Sequence, residues 1–181
     1  PALGVGVGNA VITVDDTADL DAAAEKIRLS KTLDLAASCS SDNSVVLLDG
    51  IYEPMLEKLK AQGGYLCNEE EKAALRNTLW DKELHLNTAI VAQPPEKIAQ
   101  MAGLSIPEET KFFIVPEEGW GPEHPFSGEK LSVIMALYRA RDIDHAIELT
   151  QNIQAYQCQG HSCGIYSRSD ENIMKLSENT Y

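Results

Sequence analysis

Short apolar runs alternate with longer amphipathic segments along the sequence, and this alternation most constrains the fold. The runs predicted as strands are 10–14, 44–48, 65–66, 111–115, 131–138 and 162–167. The segments predicted as helices are 20–33, 54–62, 68–80, 96–102, 142–154 and 170–177. Strands separated by helices pair in parallel and are covered on both faces. The pattern therefore predicts one α/β domain of three layers, in which helices flank a largely parallel sheet.

Composition and charge exclude several classes of function. The 181 residues are 44% hydrophobic and carry a formal net charge of −13. Phosphate groups would repel such a chain, which argues against nucleic acid and against an anionic membrane surface as partners. No apolar run approaches the roughly 20 residues of a membrane-spanning helix. The sequence begins at Pro1 with neither an initiator methionine nor a signal peptide, so we expect a trimmed chain of cytoplasmic origin.

Cys39 is the first candidate for chemistry. It lies in a loop of alanine and serine between a predicted helix and the apolar strand 44–48. Small neighbours leave the thiol accessible, and the rigid strand that follows fixes the position of the loop. A lone cysteine of a cytoplasmic protein can also be a small buried apolar residue. For a lone cysteine that alternative starts ahead, and it is further features of the chain that favour the nucleophile.

The other cysteines indicate neither disulfides nor a metal. The four cysteines stand at positions 39, 67, 158 and 163 without a CxxC pair, which is typical of a reducing compartment. Cys158, His161 and Cys163 could together supply three metal ligands. Their spacing matches no common zinc pattern and a fourth ligand is not evident, so we predict no metal site.

Two further patterns bear on the site. The opening segment alternates Gly4, Gly6 and Gly8 with apolar residues but lacks the GxGxxG form, so it indicates close backbone approach rather than a nucleotide motif. Of the four histidines, His161 follows a glycine in a turn before a strand, the best setting for a working side chain. A cysteine hydrolase would need one of the four beside Cys39, and the sequence does not place any of them there.

Four blocks of sequence, in order, resemble the CoA-acylating aldehyde dehydrogenases. The opening GVGVGN resembles the family pattern GVGPGN, and SKTLDLAASCSSDNSVVL resembles SKTFDNGxxCxSEQSVIV with Cys39 at the nucleophile. Further along, HPFSGEKLSVIMALYRARD resembles PFSxEKLSPVLAxYxxxD, and GHSCGIYS resembles GHTAxIHS. The match extends from Pro1 to about Ser167. The resemblance implies that residues 1–181 are the cysteine-bearing catalytic domain of such an enzyme, without its N-terminal dinucleotide-binding domain.

The resemblance also implies a reaction. The Cys39 thiolate would attack the aldehyde carbonyl, a hydride would leave to NAD or NADP, and CoA would take the acyl group from the resulting thioester. Glu129 aligns with the glutamate that holds the nicotinamide ribose, although sequence alone would favour a surface residue there. His161 would handle a proton near the thioester. The resemblance further implies a homo-oligomer at full length and allows a bacterial microcompartment as its location.

Departures from the family pattern leave the aldehyde open. Leu35 and Ala36 replace the usual Asn-Gly, Val7 and Val133 replace prolines, and 41–43 reads Ser-Asp-Asn instead of Ser-Glu-Gln. These differences indicate a divergent subgroup, and the sulfoacetaldehyde and succinate-semialdehyde enzymes are candidates. Hydrolytic relatives carry a glutamate in the segment equivalent to 4–9, where this chain has no carboxylate. That favours transfer to CoA. A hydrolytic enzyme that gives the free acid and a catalytically degenerate domain remain the alternatives.

Overall fold

The computed structural model describes residues 6–157 and 159–180. Within them, six strands form one sheet in which all neighbours are parallel. The strands are β1 (Ala10–Val14), β2 (Asp42–Leu48), β3 (Gly64–Leu66), β4 (Phe112–Pro116), β5 (Ile134–Ala140) and β6 (Cys163–Tyr166). Their order across the sheet is β3-β4-β5-β2-β1-β6. The amino ends of all six strands therefore lie at one edge and their carboxyl ends at the other.

The six helices of the described residues begin and end where local sequence signals predict. They are α1 (Leu20–Thr32), α2 (Tyr52–Ala61), α3 (Glu69–Leu79), α4 (Pro95–Ala102), α5 (Ile143–Tyr156) and α6 (Asp170–Asn179). Asn68 and Glu71 form a capping box at the start of α3. Pro95 occupies the first turn of α4, which Gly103 ends in the left-handed conformation with φ 69°. Such local signals explain why the predicted bounds lie within a few residues of those observed.

Helices cover both faces of the sheet. All seven residues of β2, the fourth strand across the sheet, are buried, including the alternate side chains that point to opposite faces. Helix α1 packs against α2, and α5 packs against α6 and against β1, β2 and β5. This arrangement confirms the predicted three-layer α/β fold with a parallel sheet. None of the helices in the described residues is both long enough and apolar enough to cross a membrane.

The start of β5 is the strand boundary that the sequence predicted least well. We expected β5 to begin at residue 131, because 131–138 is apolar apart from Ser132, but it begins at Ile134. Leu131 has a φ of 45°, a left-handed conformation that a strand does not accommodate. The carbonyl of Ser132 accepts a hydrogen bond from Lys31 Nζ at 2.8 Å. The residues before β5 therefore belong to a loop that folds toward α1.

Candidate active site

Four loops meet at the amino edge of the sheet. Glu129 precedes β5, Cys39 precedes β2, Gly8 precedes β1 and His161 precedes β6. These four strands are consecutive neighbours in the sheet, so the loops line up side by side although they lie far apart in sequence. The fold thus brings together the three residues predicted for the site and the glycine segment.

Gly8 is the point at which the other three residues converge. A Cβ atom on Gly8 would lie 2.5 Å from Cys39 Cβ, 2.8 Å from the Cys39 carbonyl oxygen and 3.0 Å from His161 Nε2. Side chains are not tolerated at such distances, so only glycine fits here. The close backbone approach that the glycine pattern indicates is present, between Gly8 and the cysteine loop. Residues 1–5, which include Gly4, lie outside the described residues.

Cys39 is an exposed thiol on a tightly turned loop. The Ser41 N–H donates to the Ser38 carbonyl at 3.1 Å and closes a turn around Cys39. Just before it, Asp34, Leu35 and Ala36 all have positive φ values of 47°, 53° and 57°. Non-glycine residues rarely adopt this conformation, because Cβ then crowds the backbone. The chain enters the cysteine loop through an energetically costly left-handed turn, a feature often found at functional sites.

Glu129 faces the site and is not a surface residue. Its Oε1 accepts a hydrogen bond from the Gly8 N–H at 2.9 Å. Burial raises the pKa of Glu129, while the bond from Gly8 and the charges of His161 and Lys130 act in the opposite direction. The carboxylate is therefore held against the cysteine loop with one oxygen engaged by Gly8.

His161 is partly buried at the same place, with Nε2 directed at Gly8. Its Nδ1 is buried and has no hydrogen-bond partner among the described residues. Buried polar atoms are usually paired, so this nitrogen is available to a bound molecule or to water. The other histidines bond elsewhere, His85 to Asp81, His124 to Glu117, and His145 to the Arg141 N–H.

A buried asparagine pair fixes the loops that carry these residues. Asn43 donates to Asn9 Oδ1 at 2.6 Å and to the Gly128 carbonyl at 2.8 Å, and Asn9 donates to the Ser127 carbonyl at 2.8 Å. Lys130, fully buried, donates to the carbonyls of Phe126 and Gly128. Sequence reasoning missed this framework. The available signal was the pair of polar residues at the start of an otherwise apolar buried strand.

A second polar cluster lies at the carboxyl edge of the sheet. The buried carboxylate of Glu117 follows β4 and accepts hydrogen bonds from His124 Nδ1 at 2.8 Å and Lys72 Nζ at 3.2 Å. It borders a cleft of about 700 Å³. Cys39, His161 and Glu129 do not line this cleft, so it is separate from the predicted site.

The three candidate metal ligands, Cys158, His161 and Cys163, are not all among the described residues. Cys158 lies outside the described residues. Between residues 6–157 and 159–180, no group of three or more metal-ligating side chains comes together. The thiol of Cys163 lies 3.2 Å from the Thr180 hydroxyl.

Comparison with known proteins identifies the same architecture. No protein-family model matches the sequence. The chain is 41% identical over 180 residues to the acylating sulfoacetaldehyde dehydrogenase of Cupriavidus necator, a match that covers 98% of the chain and 36% of that protein. The chain thus spans little more than a third of the length of this relative.

Solved structures extend the comparison to the fold. An acetylating aldehyde dehydrogenase from Geobacillus thermoglucosidasius superposes with a TM-score of 0.95 at 35% identity, over 99% of this chain and 40% of that one. A propionaldehyde dehydrogenase from the fucose utilisation bacterial microcompartment of Clostridium phytofermentans gives a TM-score of 0.88 at 28% identity, over 97% of this chain and 40% of that one. Over nearly its whole length the chain is therefore similar in sequence and in fold to one segment of the acylating aldehyde dehydrogenases.

Proposed function

We propose that the protein containing this chain oxidises a short aldehyde to its acyl-CoA, with NAD or NADP as hydride acceptor and CoA as acyl acceptor. The observation that carries this proposal is the convergence of Cys39, Glu129 and His161 around Gly8. An exposed thiol, a carboxylate and an imidazole with a free ring nitrogen then surround one point. The thiol can capture an aldehyde covalently, and the other two groups lie close enough to it to serve the later steps.

Cys39 is the nucleophile in this proposal. Its thiolate attacks the aldehyde carbonyl carbon and forms a thiohemiacetal, which splits one difficult oxidation into two easier steps. The exposed position of the thiol on its turn lets an aldehyde approach from solvent. Backbone N–H groups of the loop 38–41 would stabilise the oxyanion of the thiohemiacetal.

In this proposal Glu129 binds the nicotinamide ribose. One carboxylate oxygen is anchored by the Gly8 N–H, which leaves the other oxygen to accept from ribose hydroxyls. The missing side chain of Gly8 lets its backbone, and with it Glu129, lie directly against Cys39. The nicotinamide, when bound, supplies the hydride acceptor, and the enzyme is left as a Cys39 thioester. Glu129 holds the ring in register with Cys39.

His161 serves the second half of the reaction. Its Nε2 faces Gly8 beside Cys39, whereas Nδ1 is buried. In the neutral tautomer with its hydrogen on Nδ1, Nε2 can accept the proton of the CoA thiol as that thiol attacks the thioester. The sequence offers no carboxylate at 4–9 to activate water, which favours CoA over hydrolysis.

The remaining parts of the proposal follow from the relatives. We infer that residues 1–181 are the cysteine-bearing catalytic domain and that a dinucleotide-binding domain elsewhere in the full protein completes the nicotinamide site. Sulfoacetaldehyde is the first aldehyde to test, since a relative is named for it. The microcompartment origin of another relative makes that compartment, beside the cytoplasm, a location to examine. A homo-oligomer is expected for the full protein.

The test is NAD(P)H formation by the full-length protein with a panel of short aldehydes, with and without CoA. Strict dependence on CoA, abolished by Cys39→Ala, is the expected result. Turnover without CoA would instead establish a hydrolytic enzyme. No turnover, together with a Cys39 thiol that iodoacetamide does not alkylate, would indicate a degenerate domain. We expect the 181-residue chain alone to be inactive, and NAD(P)H formation by it would contradict the domain assignment.

A further inference from the structure

Lys31 is a buried lysine that the mechanism above does not use. It lies in the last turn of α1 and is 1% exposed. A small enclosed space of about 10 Å³ behind Cys39 is lined by residues that include Lys31, Cys39, Gly8 and Glu129. That volume is about the size needed for a single water molecule. The lysine and the nucleophile therefore share one cavity.

The hydrogen bonding of Lys31 is incomplete. Its Nζ donates to the Ser132 carbonyl at 2.8 Å, the one hydrogen bond it makes within the described residues, whereas an ammonium group has three donors. Asp42 is the opposite charge that acts on it, and Asp42 Oδ2 also has no partner in the described ranges. Burial lowers the pKa of Lys31 to about 7, against the attraction of Asp42. A neutral amine is therefore accessible near neutral pH.

We propose that Lys31 accepts the proton of the Cys39 thiol through one water molecule in the shared cavity. The S–H bond of Cys39 breaks, the water passes on one proton as it receives another, and an N–H bond forms at Lys31 Nζ. The products are a thiolate and an ammonium group that faces the Asp42 carboxylate. Lys31 acts through the water and does not touch the substrate, so it is a positioning residue. The inference rests on the proposed function, in which Cys39 must become a thiolate.

The surrounding charges are consistent with this role. Asp42 at the start of β2 favours the ammonium form of Lys31, and the charge of Lys31 in turn lowers the pKa of Lys130 in the loop before β5. Glu129 lines the same cavity and is itself under the influence of His161. Lys130 is equally buried, but its coupling to Lys31 and its bonds to the carbonyls of Phe126 and Gly128 make it part of the site. Lys72 bonds to Glu117 and to the Pro116 carbonyl at the opposite edge and does not line the cavity, so it is the control lysine without access to Cys39.

The experiment measures alkylation of Cys39 by iodoacetamide between pH 6 and pH 10 in the full-length protein, with peptide mass spectrometry to separate Cys39 from the other cysteines. Lys31→Gln keeps a donor for the Ser132 carbonyl but has no basic nitrogen. Lys31→Met removes both. Circular dichroism confirms that each variant is folded. The reaction needs no aldehyde, nicotinamide or CoA, so its outcome is independent of the test of the proposed function.

At pH 7 we expect both Lys31 variants to be alkylated about tenfold more slowly than the wild type, and at pH 10 to be within about twofold of it, because an ordinary thiol ionises near 8.5. Lys72→Met should follow the wild type at every pH. Equal rates for the Lys31 variants and the wild type at pH 7, or slowing by one constant factor at all pH values, would overturn the proposal. A pH-dependent slowing that Lys72→Met reproduces would do so as well. If Lys72→Met does not fold, the two Lys31 variants decide the question.

Discussion

The two edges of the sheet use polar residues in opposite ways. Four of the five buried side-chain atoms without a partner in the described residues lie at or near the amino edge, in Asp42, Ser44, Ser132 and His161. At the carboxyl edge, Glu117 accepts from Lys72, His124 and the Glu118 N–H. The buried carboxylate at the carboxyl edge is thus fully hydrogen-bonded and stabilises the fold, whereas buried polar atoms at the amino edge are left to bond to a ligand or to water.

Of the two cavities described above, the larger lies at the carboxyl edge. The cleft of about 700 Å³ lies beside Glu117, while the space behind Cys39 is about 10 Å³. In open parallel sheets, ligands usually bind beyond the carboxyl ends of the strands. Here the candidate nucleophile lies at the amino ends, so neither cavity size nor that general rule would have located it. Incomplete hydrogen bonding around convergent reactive groups is the better marker in this molecule.

The largest expected effect comes from comparing alanine substitutions at two glycines, one at each edge of the sheet. In Gly8→Ala, the new Cβ would lie 2.5 Å from Cys39 Cβ, and in Gly119→Ala it would lie 2.5 Å from the ring of His124. Displacing the nucleophile by such an overlap should lower acyl-CoA formation by about a hundredfold or more. Displacing the His124 ring should leave the rate within about twofold. Steady-state rates of the full-length variants check both, and comparable losses would refute the division between the edges.

The second prediction concerns the pH dependence of stability. Burial raises the pKa of Asp42 to about 6 and lowers that of Lys31 to about 7. Between about pH 4 and 6 the native state holds the Asp42 proton that the unfolded state has lost, so stability falls as the pH rises. Between about pH 7 and 10 the unfolded state holds the Lys31 proton, so stability rises. At about 1.4 kcal/mol per pH unit, the change over these windows is about 3 kcal/mol for Asp42 and about 4 kcal/mol for Lys31.

Urea unfolding across this range measures the free energy of unfolding. Asp42→Asn should remove the fall on the acid side, and Lys31→Met should remove the rise on the alkaline side. The difference between each variant and the wild type isolates these groups from all others that titrate. If the free energy of unfolding depends on pH in the same way in the wild type and in both variants, the pKa values of Asp42 and Lys31 are not shifted by folding.

Local signals account for what the sequence predicted, and long-range contacts for what it did not. Helix starts at Asn68 and Pro95 depend on neighbouring residues, so they could be predicted from short windows. Loop and turn settings made Cys39 and His161 candidates, and the resemblance added Glu129 and the role of each residue. The hydrogen bond that holds Glu129 in the site comes from Gly8, which is 121 positions away. The hydrogen bond from Asn43 to the Gly128 carbonyl joins residues 85 positions apart. Such partners become visible only once strand order is known.

The misplaced start of β5 has the same origin. Leu131 and Val133 match a strand as well as they match a buried loop, because periodicity does not report φ. The loop at 130–131 bonds to distant segments: the Lys130 N–H donates to Asn43 Oδ1, and the Leu131 carbonyl accepts from the Ala92 N–H. The burial of Lys31 was likewise unpredictable, since its acceptor at Ser132 is 101 positions away.

The third prediction tests whether the carboxyl edge supplies stability. In Glu117→Gln, the buried charge that faces Lys72 and His124 is lost, and we expect a cost of about 2 kcal/mol, reduced from a fully buried pair because both partners are partly exposed. Glu118→Gln, at an exposed neighbour, should cost under about 0.5 kcal/mol. Acyl-CoA formation by Glu117→Gln should stay within about twofold of the wild type. Urea unfolding gives the stabilities, and lost activity without lost stability would assign Glu117 to the reaction.

The smallest expected effect concerns the residues that adopt positive φ in the loops at the two edges. The amino edge uses Asp34, Leu35 and Ala36 at positive φ, while the loop that follows β4 uses Gly121 at φ 91°. A Cβ on Gly121 meets no atom within 4 Å, so Gly121→Ala tests the backbone alone and should cost about 1 kcal/mol. A Cβ on Gly50 also meets no atom within 4 Å, but its φ lies outside the left-handed range. Gly50→Ala should therefore be neutral or slightly stabilising, because alanine narrows the unfolded ensemble. Equal costs in urea unfolding would mean that backbone conformation does not distinguish these turns, and the left-handed turn before Cys39 would then carry no strain.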